Sequence, residues 1–199
     1  PGLTAKDGSY SKQEFIDLQR MGLEYGVRII PEIDIPAHSL AFAHYKPEIA
    51  SRKYGMDHLD LYKKETYQFV DSLLDEYLSG DNPVFIGDLH IGTDEYNKKE
   101  AEQYRYFTDR YLKFVEKYGK NVRMWGGLKW LPGKTPVKAE GVTVNAWSYD
   151  WVDPVVSLQD GYKLINTCDT YLYIVPAAGY YRDFLDHQWI YEKWSPWIM

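Results

Sequence analysis

The chain has 199 residues, of which 45% are hydrophobic, and a formal net charge of −6 at pH 7. This length allows one domain with a substantial core, and this hydrophobic content indicates a globular chain rather than a disordered one. The mild acidity is spread along the sequence and no basic stripe is present. The composition therefore argues against nucleic acid as a partner.

Cysteine content and apolar runs argue against a disulfide-stabilised protein and against a membrane-spanning one. Cys168 is the only cysteine, so no internal disulfide can form and the redox compartment is unreadable. No apolar run approaches the length of a membrane span, and no signal peptide is recognisable. The sequence begins Pro1-Gly2-Leu3 without an initiator methionine, and we expect it to be a piece of a longer protein.

The first predicted unit is a helix followed by a buried strand. A capping box at Ser11–Glu14 opens the helix, and Gly26 ends it. The apolar segment Val27–Asp34 predicts a buried strand, and the loop after it carries His38. Asp34 and His38 are therefore expected at the carboxyl end of a strand, where α/β folds place their chemistry.

The second predicted unit repeats this order. Residues 40–60 read as irregular, and apolar residues at helical spacing predict a helix from about Lys64 to Leu78. The segment Val84–Ile91 predicts a strand buried on both faces. Asp94 and Glu95 follow that strand after a short turn, so they are expected at the same end of the sheet as Asp34.

Alternation of helices and strands continues to the end of the chain. The remaining predicted elements are a helix at 98–118, a strand at 121–127, a strand at 142–147, a short helix at 153–160, a strand at 162–166, a segment at 170–175 that continues or follows it, and a loop-like tail. This order predicts a parallel α/β fold. Functional-looking residues at every carboxyl end are typical of a (β/α)8 TIM barrel, here with five strands and therefore incomplete. We expect residues 1–199 to form part of one such domain, with no second domain or internal repeat.

The aromatic residues indicate a carbohydrate site. They make up 17% of the chain, and all seven tryptophans lie between residues 125 and 197, mostly beside Gly, Pro, Asp or Ser. Indole and phenol rings at strand ends and in loops stack on the C–H faces of sugars. The alternative, that Trp125 and Trp147 belong to the core, is equally open for each ring.

Two motifs resemble a known family. The segment Ile30–Ser39 reads Ile-Pro-Glu-Ile-Asp-Ile-Pro-Ala-His-Ser, and His90–Glu95, about 55 residues later, reads His-Ile-Gly-Thr-Asp-Glu. In this order they resemble glycoside hydrolase family 20, the β-N-acetylhexosaminidases and lacto-N-biosidases. The resemblance implies a catalytic barrel of which this sequence supplies strands three to seven. It also implies an extracellular or cell-surface location in a bacterium.

The family resemblance implies substrate-assisted catalysis by Asp94 and Glu95. Two carboxylates adjacent in sequence cannot easily flank a sugar ring as acid and nucleophile, whereas the substrate's own 2-acetamido oxygen can attack the anomeric carbon. Glu95 would then be the general acid and later the general base. Asp94 would accept a hydrogen bond from the acetamide N–H and offset its developing positive charge.

The remaining site residues follow from the same resemblance. Tyr171 matches the tyrosine that donates to the acetamide oxygen, and Asp34 with His38 resembles a relay beside the acid. Trp125 and Trp147 would wall the acetamide pocket. The expected ligands are glycans that contain N-acetylhexosamine, without a cofactor.

One departure from the family pattern concerns substrate choice. Tyr173 stands where many exo-acting hexosaminidases have an acidic residue that holds the outer hydroxyls of the sugar, and Ala37 replaces a glycine. Tyr173 is therefore a predicted substrate-binding residue. This departure favours an enzyme of the lacto-N-biosidase-like or cell-wall-anchored streptococcal type.

Other interpretations remain beside this one. Asp34, His38, His90 and Asp94 could ligate a metal, but no close ligand pair such as H-x-x-x-H is present, so no metal is expected. His38 could instead bond loop backbone, and His90 is expected to be structural. The chain could also be a catalytically silent carbohydrate-binding or interaction fragment, which associates with the remainder of its own barrel, or an unrelated α/β barrel hydrolase.

Overall fold

The structure is a computed structural model that describes residues 8–198. The start at Pro1-Gly2-Leu3, from which we expect a longer protein, lies outside the described residues. These described residues form seven strands: β1 Glu32–Ile35, β2 Ala50–Ser51, β3 Gly55–Leu59, β4 Leu89–Gly92, β5 Val122–Trp125, β6 Val142–Ala146 and β7 Lys163–Asn166. Seven α-helices accompany them: α1 Lys12–Glu24, α2 Leu40–Tyr45, α3 Lys64–Leu78, α4 Ala101–Glu116, α5 Pro154–Gln159, α6 Asp169–Leu172 and α7 His187–Lys193.

Five of the strands form one parallel sheet in the order β1-β4-β5-β6-β7. Every strand of this sheet lies beside its neighbour in chain order, and helices occupy most of the connections, as parallel pairing requires. The predicted parallel α/β arrangement is therefore confirmed. Because all five strands point the same way, their carboxyl ends share one edge, and that edge receives the loops after β1 and β4. The remaining strands, β2 and β3, form a separate antiparallel hairpin.

The core lies between the sheet and the helices α3 and α4. The apolar spacing that predicted these helices also determines which faces they bury. Their buried residues are Thr66, Val70, Leu73, Leu74 and Leu78 on α3, and Tyr104, Phe107, Thr108, Tyr111, Leu112 and Val115 on α4. They pack on strand residues such as Leu89 and Ile91, which are fully covered. No helix in residues 8–198 has the length and apolar character needed to cross a membrane.

The predicted helix starts are largely confirmed. At α1, the Ser11 hydroxyl accepts from the Glu14 N–H at 3.2 Å, and the Glu14 carboxylate accepts from the Ser11 N–H at 2.7 Å. This is the capping box that the sequence predicts. The helix expected at 98–118 begins with a 3₁₀ turn at Lys98–Glu100 and continues as α4 to Glu116.

Both strands that precede the candidate site residues are shorter than predicted. β1 begins at Glu32 rather than at Val27, and β4 begins at Leu89 rather than at Val84. The backbone before β4 is bonded by a side chain instead of a neighbouring strand. Gln19 of α1 donates to the Val84 carbonyl at 2.7 Å and accepts from the Ile86 N–H at 3.2 Å. A buried glutamine thus replaces the ladder, which periodicity could not reveal.

Three further segments differ from their predictions. Residues 40–60 are not irregular, because they hold α2 and the β2–β3 hairpin. Residues 170–175 are not a strand: the Leu172 N–H donates to the Cys168 carbonyl at 3.0 Å, which closes the single turn of α6. The tail contains the helix α7 as well as loops. Short elements with few apolar repeats give little periodic signal.

We predict that Phe107→Ala lowers the free energy of unfolding by about 3–5 kcal/mol, because it leaves a cavity under α4. Phe107 is fully buried, whereas its neighbour Tyr106 is half exposed. Tyr106→Ala is the matched control, and we expect it to cost no more than about 1 kcal/mol. Urea unfolding of both variants measures the difference, and equal losses would contradict this placement of the core.

Candidate active site

The loops after β1 and β4 bring together four of the predicted catalytic residues. The His38 Nε2 atom lies 3.0 Å from Glu95 Oε2 and 3.4 Å from Asp94 Oδ2. Asp34 lies in β1, and its carboxylate oxygen, the His38 nitrogen and an Asp94 oxygen are all within 4.8 Å of one another. Parallel pairing of β1 with β4 therefore converts two distant motifs into one cluster.

The two adjacent carboxylates differ in exposure. The Glu95 side chain is 47% exposed and faces solvent, whereas that of Asp94 is 17% exposed. Asp94 Oδ1 is buried and has no hydrogen-bond partner among the described residues, and the same is true of Asp34 Oδ1. A buried carboxylate oxygen without a donor is costly, so a ligand N–H or O–H that reached it would be bound favourably.

Burial and neighbouring charge shift the proton affinities of this cluster. Burial, with the Asp94 charge added, raises the pKa of Asp34 to about 8. The hydrogen bond to Asp94 raises the pKa of His38 to about 9, against the opposing effect of its partial burial. Both groups therefore favour their protonated forms at neutral pH. The cluster holds protons next to Glu95, which a proton-transfer site requires.

The same three ligand atoms lie close enough to coordinate one metal ion. Asp34, His38 and Asp94 would supply two carboxylate oxygens and one imidazole nitrogen. Such a donor set suits several divalent metals. The expectation from sequence that no metal is bound stays a prediction.

Left-handed backbone conformations aim the site residues. His38, Thr93 and Glu95 have φ values of 51°, 79° and 52°, which side chains rarely adopt. Each such residue costs about 1–3 kcal/mol, and persists only where the surroundings enforce it. Two hydrogen bonds hold Thr93: its carbonyl accepts from the buried Tyr104 hydroxyl, and its own hydroxyl donates to the Gly92 carbonyl at 2.5 Å. The turn is therefore fixed from the core.

Gly92 is required by Asp34 rather than by the turn alone. A Cβ at Gly92 would lie 1.8 Å from Asp34 Oδ1, and φ there is +68°. The Asp34 side chain thus passes over the backbone of β4 to reach His38 and Asp94. Any larger residue at this position would displace the carboxylate.

Glu32 is a site residue that the sequence prediction did not assign. Its Oε1 atom accepts from the Trp125 indole N–H at 2.7 Å and lies 3.5 Å from His90 Nδ1. The His90 ring packs against Trp125 at 4.8 Å, and burial lowers the pKa of His90 to about 4. Burial raises the pKa of Glu32. Its spacing of two from Asp34 on the same strand was the available signal, because such residues share a face.

Tyr173 lies near the carboxylate cluster. Burial raises its pKa, and the charge of Asp94 adds to the effect. Its ring lies 5.2 Å from that of Tyr181, whose own pKa is raised by burial, with smaller effects of Asp169 and Glu95. Tyr181, in a segment that the sequence left as an aromatic tail, is thus a second ring beside the site.

The structure does not join Tyr171 and Trp147 to the carboxylates. Tyr171 stacks on Trp189 at 4.8 Å, and no hydrogen bond links it to the cluster within residues 8–198. Trp147 is only 6% exposed, and its indole N–H donates to the Gly126 carbonyl at 2.9 Å. Their assigned roles stay predictions.

We predict that Gly92→Ala destabilises the fold by at least about 2 kcal/mol more than Gly119→Ala. The two glycines have nearly the same φ, +68° and +69°, but a Cβ at Gly119 has open space around it. The backbone penalty is therefore shared, and the difference isolates the clash with Asp34. Urea unfolding measures both variants; equal losses would show that Asp34 does not cross Gly92.

We predict that His38 loses its proton only as the pH rises through about 9. Asp94→Asn should move this titration down toward the ordinary imidazole value of about 6.5, because the charged partner is removed. NMR of the imidazole nitrogens as a function of pH measures both values. An unchanged titration in the variant would show that Asp94 does not raise the pKa of His38.

The chain resembles known enzymes along most of its length. A model of the glycosyl hydrolase family 20 catalytic domain matches residues 3–191. The chain is 29% identical over 189 residues to a beta-hexosaminidase of Arthroderma benhamiae, with 78% of this chain and 31% of that protein covered. It is 25% identical over 200 residues to a lacto-N-biosidase of Bifidobacterium bifidum, with 87% and 17% covered. The chain thus spans about a third or less of the length of these relatives.

Solved structures share the fold. The beta-N-acetylhexosaminidase from Streptomyces coelicolor superposes with a TM-score of 0.64 at 28% identity, over 82% of this chain and 36% of that one. The Flavobacterium johnsoniae chitobiase superposes with a TM-score of 0.68 at 23% identity, over 85% and 30%. Since the family model covers nearly the whole chain, the resemblance predicted from the two motifs is confirmed, and the protein belongs to glycosyl hydrolase family 20.

Proposed function

We propose that this chain forms much of the active site of a retaining glycosidase that removes β-linked N-acetylhexosamine or lacto-N-biose units. The observation that carries this proposal is the placement of His38 between Asp94 and Glu95 at 3.4 and 3.0 Å. One carboxylate is buried with an unpartnered oxygen, and the other is exposed. Two neighbouring acids with such different surroundings suit two different roles.

In the first step the 2-acetamido oxygen of the substrate attacks the anomeric carbon. The glycosidic bond breaks, and its electron pair goes to the leaving oxygen, which takes a proton from Glu95. The exposed position of Glu95 leaves room for that oxygen. The bond from the acetamido oxygen to the anomeric carbon closes a five-membered ring. In the second step Glu95 removes a proton from water, the water oxygen attacks the anomeric carbon, and the bond to the acetamido oxygen breaks. His38, in contact with Glu95, can donate a hydrogen bond to its carboxylate while that carboxylate is deprotonated between the steps.

Asp94 is suited to hold the acetamide group during the attack. Its buried oxygen can accept the acetamide N–H, which becomes more positive as the oxygen attacks. A fixed carboxylate near developing positive charge lowers the barrier most where water is excluded. His38 Nε2, at 3.4 Å from Asp94 Oδ2, keeps the second oxygen of this carboxylate in place.

The preferred unit is proposed to be a disaccharide, lacto-N-biose, rather than a terminal N-acetylglucosamine. Tyr173 stands in place of the acid that would grip the outer hydroxyls, and Tyr181 lies beside it. Two rings can stack on a further sugar that an acidic residue would exclude. Cleavage of aryl lacto-N-bioside supports this preference; cleavage of aryl N-acetylglucosaminide alone contradicts it.

The five-stranded sheet is proposed to be the middle of a (β/α)8 barrel that residues outside this chain complete. In residues 8–198 β1 and β7 each pair on one side only, and paired edges are the usual state of such strands. Because the barrel is incomplete in this chain, activity assays require the complete polypeptide that carries it.

We also propose an extracellular or cell-surface location in a bacterium.

We predict that Glu95→Gln lowers kcat for an N-acetylhexosaminide by about 10²–10⁴-fold, the range for loss of a general acid–base group. Asp94→Asn should also remove most of the turnover, because the acetamide loses its partner. Glu65→Gln, an exposed carboxylate change on α3, is the control that should keep full activity. Steady-state hydrolysis of an aryl glycoside measures all three; full turnover in either site variant would refute the mechanism.

The competing proposal is a silent carbohydrate-binding module. It predicts that the unaltered polypeptide binds N-acetylhexosamine in a calorimetric titration without any hydrolysis. Turnover that depends on Glu95 excludes it.

A further inference from the structure

An open pocket of about 640 Å³ lies directly beside Glu95. Glu95 lines it, but Asp94 and His38 do not. Its other walls come from β3, the loop after β4 with the 3₁₀ turn that precedes α4, and the loops after β5 and β6: His58, Tyr96, Asn97, Lys98, Lys99, Trp130 and Trp151. Neither Trp130 nor Trp151 has a part in the proposed chemistry.

The position of this pocket determines what could enter it, provided that the proposed function holds. A general acid must touch the oxygen that leaves, so it stands between the sugar being transferred and the group being released. The Asp94 side of Glu95 receives the acetamido sugar. The pocket is lined by Glu95 but not by Asp94 or His38, so it is the space open to the leaving group.

Three tryptophans form a stack that ends in this pocket. The ring centroids of Trp147 and Trp151 are 5.6 Å apart, those of Trp151 and Trp130 are 5.0 Å apart, and both pairs are tilted by 33°. Trp147 is buried, whereas Trp130 at the outer end is 39% exposed. The inner end of the stack is therefore fixed in the core, and its outer end exposes an indole ring to solvent.

Backbone hydrogen bonds hold the two tryptophan loops together. The Lys129 N–H donates to the Trp151 carbonyl at 3.2 Å, and the Leu131 N–H donates to the Gly127 carbonyl at 3.0 Å. The buried Leu131 side chain anchors the same loop. A surface that is ordered before binding loses little entropy when a sugar stacks on it.

The charge at this pocket is positive. Lys98 Nζ lies 4.6 Å from the Trp130 ring centroid. Within residues 8–198, neither Lys98 nor Lys99 has a carboxylate within 4.0 Å, in contrast to Lys53, which pairs with Glu100 at 2.7 Å. The two lysines outnumber Glu95, which is the one carboxylate among the residues that line the pocket. An unpaired ammonium held only by a ring is easily drawn to an anion.

We propose that Trp130 binds the sugar on the leaving-group side, and that Lys98 makes this surface prefer a sugar with an anionic substituent. The pyranose ring stacks on the indole, and the ammonium turns from the ring to the carboxylate or sulfate of that sugar. The leaving-group preference of the enzyme is therefore set by residues that play no part in bond cleavage.

The test compares two substrates that differ in one group. Both substrates carry the sugar unit that the enzyme releases best from aryl glycosides. In one substrate this unit is linked to glucuronic acid and in the other to glucose, and kcat/KM is measured for each with the complete polypeptide. Trp130→Ala should lower both values about three- to tenfold, the range expected for one lost ring contact, and Trp130→Phe should restore most of the loss. Lys98→Gln should lower only the glucuronide value, and added salt should reduce the same preference.

Controls separate this inference from the proposed function. Lys117, which lies over the Phe114 ring at 5.8 Å, and the exposed Trp197 do not line the pocket, so Lys117→Gln and Trp197→Ala should change nothing. A thiazoline mimic of the cyclised intermediate has no leaving group, so all variants should bind it equally. Equal rates for the two substrates, or equal loss of both in Lys98→Gln, would overturn the inference. Absence of hydrolysis and thiazoline binding in the unaltered protein would contradict the proposed function, and this inference with it.

Discussion

The contact of His38 with the two carboxylates after β4 is the constraint on which the site depends. One imidazole nitrogen lies within 3.4 Å of both Asp94 and Glu95, although these acids differ in burial. Asp34 reaches the same cluster only because Gly92 leaves it space. The hydrogen bond from the buried Tyr104 hydroxyl to the Thr93 carbonyl holds the turn after β4, so the strain of the left-handed residues there is offset by contact with the core.

The parallel sheet explains why this cluster forms at all. Asp34 and Asp94 are 60 positions apart in the chain, but β1 and β4 are neighbours in the sheet and end at the same edge. α3 occupies the crossover and packs on the outer face of the sheet. The sheet therefore fixes the points from which the two loops that carry the chemistry begin.

The tryptophans divide between core and surface along a single stack. Trp147 is buried and holds the loop after β5, while Trp130 reaches solvent beside Glu95. Trp125 belongs to a different arrangement, in which Glu32 holds its indole N–H at 2.7 Å. A carbohydrate site needs both rigid rings and a polar anchor, and here Trp125 and Glu32 come from β5 and β1, which lie on either side of β4.

The sequence by itself determined the parallel α/β order, the long helices and the identity of the paired motifs, because these depend on periodicity and on residue types close in the chain. It did not reveal the positions of Glu32 and Tyr181 beside the site. It also did not reveal that β4 begins at Leu89 rather than at Val84, or that α6 is a helical turn. These depend on a glutamine from α1, on contacts between distant loops and on hydrogen bonds local to one turn. Only the tertiary structure decided them, since burial and charge at a site are properties of neighbours in space rather than in sequence.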